Sequence, residues 1–402
     1  MKFIVLVPDG AADRPLEELE GKTPLEAAYT PNMDTVAKKG TCGMAQTLFP
    51  ELPFDSSVAN MSVLGYDPRK YFSGRAPIEA ANLGIELGRG DIAVRCNLIT
   101  VEDGRIRDFT AGHIKKAEGA KLIEALNEKL GADGIEFYPG TSYRNILVIR
   151  SKLKPSLEFL AQQPHDIVGE KVSEYRIKAK TEVGSETAKL LNMLMDEAAG
   201  ILGDHDVNKK RIKENKNPAD SIWLWGAGVS PNMPTFKKAY GIDGSLVSAV
   251  DLLKGIGKIV GMRVLEVKGA TGYFDTNYEG KADAAVESLR EVDLAYVHIE
   301  STDEASHEGD VEGKIKAIED VDERVLGRMM ESLEDDYAIL VMPDHATPIK
   351  VRTHTDEPVP YAIYDTRKKG DSVKSFSEKD IREKGSQPLI EAHKLMGKLT
   401  RD

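Results

Sequence analysis

Six side chains in this chain of 402 residues have the types and spacing to hold metal ions. Asp303 and His307 stand four residues apart in YVHIESTDEASHEGD. Asp344 and His345 are adjacent in PDHATP, His354 follows in VRTHTDEPVP, and Asp9 stands in VPDG near the start. Carboxylate oxygens mixed with imidazole nitrogens suit Mn²⁺ or Zn²⁺, and suit Mg²⁺ less because it prefers oxygen alone. Six donors are too many for one ion with open positions but suitable for two. Paired divalent ions roughly 3.5–4 Å apart clamp the attacking and leaving oxygens of an in-line phosphoryl displacement. Taken singly, each residue has an ordinary reading as a helix-capping Asp or a solvated His. His298 lies inside an apolar run, reads as a core histidine, and is not placed among the ligands.

What unites the six is the kind of element that must position them. Residues 2–7, 293–299 and 337–342 are apolar on both faces, as in central strands of a parallel sheet covered by helices. Asp9 follows the first run, Asp303 and His307 the second, and Asp344 with His345 the third. In open parallel sheets, ligands bind beyond the carboxyl ends of the strands. Between the second and third runs, Val311, Ile315, Ile318, Val321 and Val325 recur at helical spacing. That pattern predicts an amphipathic crossover helix and a right-handed strand–helix–strand unit. TPNMDTVAKKG predicts another helix, with Pro31 in its first turn and Gly40 as its C-cap.

A two-ion site also needs a nucleophile. In FDSSVANMSVLGYDP, Ser56 and Ser57 precede Val58 and Met61 at helical spacing. A serine at a helix N-terminus lies at the positive end of the dipole, which favours an alkoxide and a bound phosphate. Metal coordination lowers its pKa further. An ordinary N-cap serine produces the same pattern, and position alone leaves both serines open.

The texture changes from about residue 87 to 217, with β-like runs (AVRCNLITV, YRNILVI) and helices dense in Lys and Glu. HDVNKKRIKENKNPAD is almost wholly polar and ends in Asn-Pro, which predicts an exposed connection near a boundary. The expected architecture is α/β, a mostly parallel sheet flanked by helices with a smaller α/β domain inserted. Residues 1–86 and 218–402 would form the metal-binding domain and 87–217 the insertion. With 54 basic against 66 acidic side chains, the net charge is −12. That balance argues against nucleic acid or an anionic membrane as a partner. An anionic substrate must then meet a metal or a local cation cluster. By type and context the candidates are Arg95, His113 and Arg144 in the insertion, with Arg75 and Lys281 in the other domain. No run is long enough for a membrane span, and the opening run reads as a strand rather than a signal peptide. Two cysteines outside any CxxC pattern fit a reducing cytoplasm. The oligomeric state stays open.

TPNMDTVAKKG, Ser56 in SSVAN, Asp303 with His307, the Asp344–His345 pair and His354 together resemble the alkaline phosphatase superfamily. More narrowly they resemble the archaeal-type cofactor-independent (2,3-bisphosphoglycerate-independent) phosphoglycerate mutases. MSVLGYDP, GRAPIEAANLGIEL, VRCNLIT, SIWLWGAG, KGATGYFDTNYEGKA, DEASHEGD and PDHATPI extend the resemblance from the start to about residue 360. It implies an alkaline-phosphatase-like fold and an isomerase of glycolysis and gluconeogenesis. Such an enzyme interconverts 3-phosphoglycerate and 2-phosphoglycerate through a phosphoserine, without added bisphosphoglycerate. Ser56 would be the nucleophile, in the family's register with Ala59 and Asn60, although Ser57 stands where an acidic residue is more usual. Asp303, His307 and His354 would hold the first ion, and Asp9, Ser56, Asp344 and His345 the second. Mn²⁺ is favoured, with Mg²⁺, Co²⁺ and Zn²⁺ as alternatives. The insertion would close over glycerate and exclude water. The rival reading is a metal-dependent phosphatase or phosphotransferase on another small phosphorylated metabolite.

Overall fold

In the computed structural model, which describes residues 1–334 and 336–401, the chain forms two compact units. One comprises Met1–Phe72 and Asn232–Asp402, the other Ser73–Pro231.

The first unit is built on an eight-stranded sheet. Its order is Arg263–Leu265, Gly244–Val247, Leu294–Ile299, Lys2–Pro8, Tyr337–Val341, Val359–Asp365, Thr41–Gln46 and Ile390–Glu391. Only Val359–Asp365 runs antiparallel to its neighbours among the described residues. Lys2–Pro8 is central, and its Ile4, Val5, Leu6 and Val7 are fully buried. This is the environment that a run apolar on both faces requires. Its register with both partners places three carboxyl ends side by side: Pro8 lies opposite Ile299, and Leu6 opposite Val341.

The predicted crossover helix forms with one irregularity. It runs as an α-helix over Val311–Asp320, opens into a π-helical turn at Val321–Gly327, and resumes over Arg328–Ser332. Ile318, Val321 and Val325 still face the core. Within the turn, the buried Asp322 carboxylate accepts the backbone N–H of Asn32 at 3.2 Å and of Met33 at 2.6 Å. It thereby serves the N-terminus of the helix Pro31–Lys39, whose own N-cap residue, Thr30, offers no side-chain bond. A carboxylate from elsewhere in the fold satisfies donors that the local sequence leaves bare.

The second unit centres on an antiparallel sheet. Ile92–Glu102 pairs with Arg144–Ile149, with Arg105–Asp108 and with Ser221–Val229, and Ile135–Thr141 forms an edge. Leu122 and Leu126 of Lys116–Leu130 and Leu191 and Leu194 of Ser185–Gly203 bury against Val94, Leu98, Leu147 and Trp223. This unit is wider than the 87–217 span expected from sequence. Ala76 and Ala80 pack on Ala93 and Val148, and Ser221–Val229 completes the sheet, so 73–86 and 218–231 belong here. The polar segment 205–220 is largely exposed, as expected, but it is more than a connection. It carries the helix Asp206–Lys213, in which Asn208 and Arg211 are buried. Asn208 Nδ2 donates to Leu202 O and Ala219 O, both at 2.8 Å, and Arg211 reaches Ala111 O at 2.6 Å. These two side chains anchor the helix to the unit, while Lys209, Lys210, Lys213, Glu214 and Lys216 face solvent. No helix among the described residues is long and apolar enough to cross a membrane.

Candidate active site

The three parallel strand ends of the first unit deliver their polar residues to one point. Asp9 follows Lys2–Pro8, and Asp303 and His307 lie on the helix Ser301–Glu308 directly after Leu294–Ile299. A spacing of four residues sets the latter pair on one helix face, and His307 Nε2 is 3.0 Å from Asp303 Oδ2. His354 Nε2 is 3.6 Å from the same oxygen and 3.3 Å from His307 Nε2. On the other side, His345 Nε2 lies 3.3 Å from Asp9 Oδ1, 3.5 Å from Asp344 Oδ2 and 3.4 Å from Ser56 Oγ. All six donor residues predicted from sequence therefore meet, together with Ser56.

Each histidine has its outer nitrogen committed. His307 Nδ1 faces Arg352 O at 2.9 Å, and His354 Nδ1 faces Phe54 O at 3.1 Å. A carbonyl can only accept, so in both rings Nδ1 carries the proton and Nε2 points inward with a lone pair when neutral. His345 reaches the same state by one more link. The Thr347 hydroxyl donates to Asp303 Oδ1 at 2.6 Å, leaving its oxygen to accept from His345 Nδ1 at 3.0 Å.

The electrostatics call for cations. Burial, then the charges of Asp344 and Asp303, raise the Asp9 carboxyl well above its usual range. Burial also opposes the charge on Asp303, but His307 and His354 outweigh it and hold that carboxyl well below the ordinary value. The Asp303 contact is likewise the leading cause of a His307 pKa raised to about 9. Burial, reinforced by His354, pushes His345 down to about 4. Asp9 Oδ1 is buried without a hydrogen bond from any described residue. Donor atoms of Asp303, His345 and His354, and separately of Asp9, His298 and Asp344, lie within 4.8 Å of one another. This donor set fits divalent ions.

Ser56 opens the helix Ser56–Val63, but the cap is Asp55, whose carboxylate accepts the N–H of Ser57 at 2.8 Å and of Val58 at 3.2 Å. These two amides are thus not free for a phosphate, contrary to the simplest helix-terminus reading. The cap also separates the two serines. Ser57 is fully buried and its hydroxyl is tied to Asp55 Oδ1, whereas Ser56 Oγ faces His345. One turn on, Asn60 Nδ2 donates to Asp344 Oδ2 at 2.6 Å while its Oδ1 accepts from Tyr296 OH at 2.6 Å. Gly10 donates its N–H to Asp344 Oδ1 at 3.1 Å with φ at +59°. A Cβ there would collide with Asp303 Oδ1 and lie 2.6 Å from Thr347 Oγ1. Gly10→Ala is expected to weaken ion binding at least tenfold and to destabilise the fold by about 1–3 kcal/mol, read by calorimetric Mn²⁺ titration and thermal melting.

The cation candidates divide differently. Arg75, placed in the metal-binding part on sequence, lies in the second unit near Arg95 and Arg144. Arg95 is buried, with its guanidinium 4.2 Å from the Trp225 ring and 3.0 Å from Glu79. Burial lowers it to about 10 against the opposing Glu79, and the charges of Arg75 and Arg144 add to the lowering. Arg144 is exposed and stands 4.9 Å over Tyr143, whose ring also meets exposed His113 at 6.5 Å. His165, absent from the sequence candidates, joins this group: its ring packs on Trp225 at 5.8 Å. Burial lowers its pKa, with Arg75 and Arg95 adding against Asp166. Lys281 is not available as a free cation. It is fully buried and paired at 2.5 Å with Glu300. His298, set aside as a core histidine, is instead 3.2 Å from Asp9 Oδ2. The available signal was the His-Ile-Glu spacing of residues 298–300, two polar residues flanking the end of the strand Leu294–Ile299 at its carboxyl edge.

Known proteins are similar to this chain along nearly its whole length. A family described as 2,3-bisphosphoglycerate-independent phosphoglycerate mutase matches residues 37–208. The Methanosarcina mazei protein of that name is 48% identical over 401 residues, covering 99% of each chain. The 2,3-bisphosphoglycerate-independent phosphoglycerate mutase 2 of Methanothermobacter thermautotrophicus is 49% identical, covering 98% of this chain and 96% of its own. Among solved structures, a Pyrococcus horikoshii protein superposes with a TM-score of 0.83 at 29% identity, covering 99% of this chain and 96% of that one. The cofactor-independent phosphoglycerate mutase of Thermoplasma acidophilum gives 0.71 at 31% identity, covering 99% of both. Identity near one half, sustained along the whole length, means that the chain belongs to the family of 2,3-bisphosphoglycerate-independent phosphoglycerate mutases.

Proposed function

We infer that this isomerase interconverts 3-phosphoglycerate and 2-phosphoglycerate, without added bisphosphoglycerate, through a phosphoserine on Ser56. The observation that carries the reading is the Ser56 hydroxyl, 3.4 Å from His345 Nε2 at the rim of a buried cluster of carboxylates and imidazoles. Asp303, His307 and His354 would hold one divalent ion, and Asp9, Ser56, Asp344 and His345 a second. Mixed oxygen and nitrogen donors favour Mn²⁺, with Mg²⁺, Co²⁺ and Zn²⁺ as alternatives. When bound, such ions acidify the serine hydroxyl and neutralise charge on the phosphoryl oxygens.

The rest falls to side chains of this protein. Ser56 Oγ bonds to phosphorus in line as the bond to the 3-oxygen breaks, and the serine proton ends on that oxygen. Glycerate then presents its 2-hydroxyl, which takes the phosphoryl group from Ser56 and returns a proton to Oγ. Asn60, held by Tyr296, fixes Asp344 throughout. Glycerate's carboxylate needs a cation, and the group of Arg75, Arg95, Arg144 and His165 is the candidate, with His113 beside Tyr143. Arg144→Ala should lower kcat/KM about 10–100-fold, mostly through KM, as loss of one charge-assisted hydrogen bond does. Free, buried Cys42 and Cys96 are in keeping with a reducing cytoplasm.

The test is a phosphorus NMR time course with ion-stripped protein reloaded with Mn²⁺ and given 3-phosphoglycerate alone. Growth of a 2-phosphoglycerate signal is expected. Release of inorganic phosphate alone would turn the assignment into a phosphatase, and no turnover with any ion would remove it.

A further inference from the structure

We propose that His298 is a further ligand of the ion carried by Asp9 and Asp344, held in place by a buried outer shell of Ser248, Glu300 and Lys281. The proposal rests on the two-ion reading above. It starts from the hydrogen-bond directions around a fully buried ring.

Glu300 Oε2 is paired with the Lys281 ammonium at 2.5 Å, and Oε1 accepts the Ala249 N–H at 2.6 Å. An ionised carboxylate is an acceptor only, so the Ser248 hydroxyl, 2.9 Å from Oε1, must donate to it. With that proton committed, the Ser248 oxygen can only accept, and His298 Nδ1 at 3.4 Å is the donor. This wiring repeats that of His345, where Thr347 and Asp303 play the parts of Ser248 and Glu300. Ligating histidines characteristically donate the outer N–H in this manner, which fixes the tautomer and turns the other nitrogen toward the ion.

His298 Nε2 has nothing else to do. It is sealed from solvent and carries no hydrogen bond from a described residue. It faces Asp9 Oδ2 at 3.2 Å and Asp344 Oδ2 at 3.8 Å. Two carboxylate oxygens and a ring nitrogen converging in a dry interior need positive charge among them, a proton on Nε2 or a metal ion, and the tautomer fixed by Ser248 favours the ion. Asp9 is thus placed between two histidines, Oδ1 toward His345 and Oδ2 toward His298. Lys281 has a defined part in this arrangement: it offsets the charge of Glu300, whose carboxylate could not otherwise be buried ionised.

The experiment uses the full chain, labelled with ¹⁵N at histidine, titrated with diamagnetic Zn²⁺ and followed by long-range proton–nitrogen spectra. Four of the eight histidines should move their Nε2 resonance to the metal-bound position, one of them missing from the spectrum of His298→Gln. By calorimetry, His298→Gln should weaken one of two Mn²⁺ binding events about 10–100-fold and leave the other unchanged. Ser248→Ala, which keeps the imidazole and removes the hydroxyl that links it to Glu300 and to the Val250 N–H, should weaken the same event about tenfold. If two ions bind while His298 keeps protons on both nitrogens, it is an imidazolium clamp on Asp9, and the proposal is overturned. If no histidine shifts and no ion binds, the two-ion reading itself falls.

Discussion

Ser56→Ala is expected to reduce mutase activity by at least about 10⁴-fold, the scale on which covalent catalysis collapses when its nucleophile is deleted. The neighbouring substitution is the control. Ser57 spends its hydroxyl on Asp55, and Ser57→Ala leaves that carboxylate bonded to the amides of residues 57 and 58. It should cost about 1 kcal/mol of stability and change turnover only a few-fold. Rapid quenching with labelled 3-phosphoglycerate should trap phosphate on the wild-type and Ser57→Ala chains, but not on Ser56→Ala. Equal activity in the two alanine variants would move the nucleophile elsewhere.

Removal of the ions should be nearly as severe, and it should register in stability as well as rate. Asp9, Asp303 and Asp344 are all buried within one cluster, so the ion-free protein must carry their repulsion or take up protons. An ion at about 100 times its dissociation constant stabilises the folded state by roughly 2.7 kcal/mol per site. Two sites give about 5 kcal/mol, or roughly 10–20 °C in Tm for a unit of this size. Chelation should abolish turnover and lower the melting transition by that amount, with Mn²⁺ restoring both. Asp344→Asn should recover only part of the thermal gain. A melting temperature indifferent to chelator would show that these carboxylates do not hold ions.

Much of this site was legible in the sequence because parallel strands end at one edge. Three runs apolar on both faces, each followed by Asp or His, could converge only there. What escaped depended on partners distant in sequence. Lys281 reads as a free cation until the fold brings Glu300 against it. His298 reads as core until Asp9 and Asp344 arrive from other strands. Asp55 was overlooked as the cap because the serine doublet beside it offered the same chemistry. The unit boundary was misplaced because Ser221–Val229 is as apolar as a strand of the larger sheet. Only its pairing with Ile92–Glu102 assigns it to the smaller one.

The central position of Lys2–Pro8 has a consequence for synthesis. Val5 pairs with Tyr296 on one side and Leu340 on the other, so both partners are translated roughly 290 residues or more later. At about 5–20 residues per second, this apolar central strand waits on the ribosome for roughly 15–60 s with neither edge covered. The unit Ser73–Pro231 carries its own core and can form during that delay. Nascent chains stalled before residue 294 should therefore hold a protease-resistant middle behind an exposed, chaperone-binding leader.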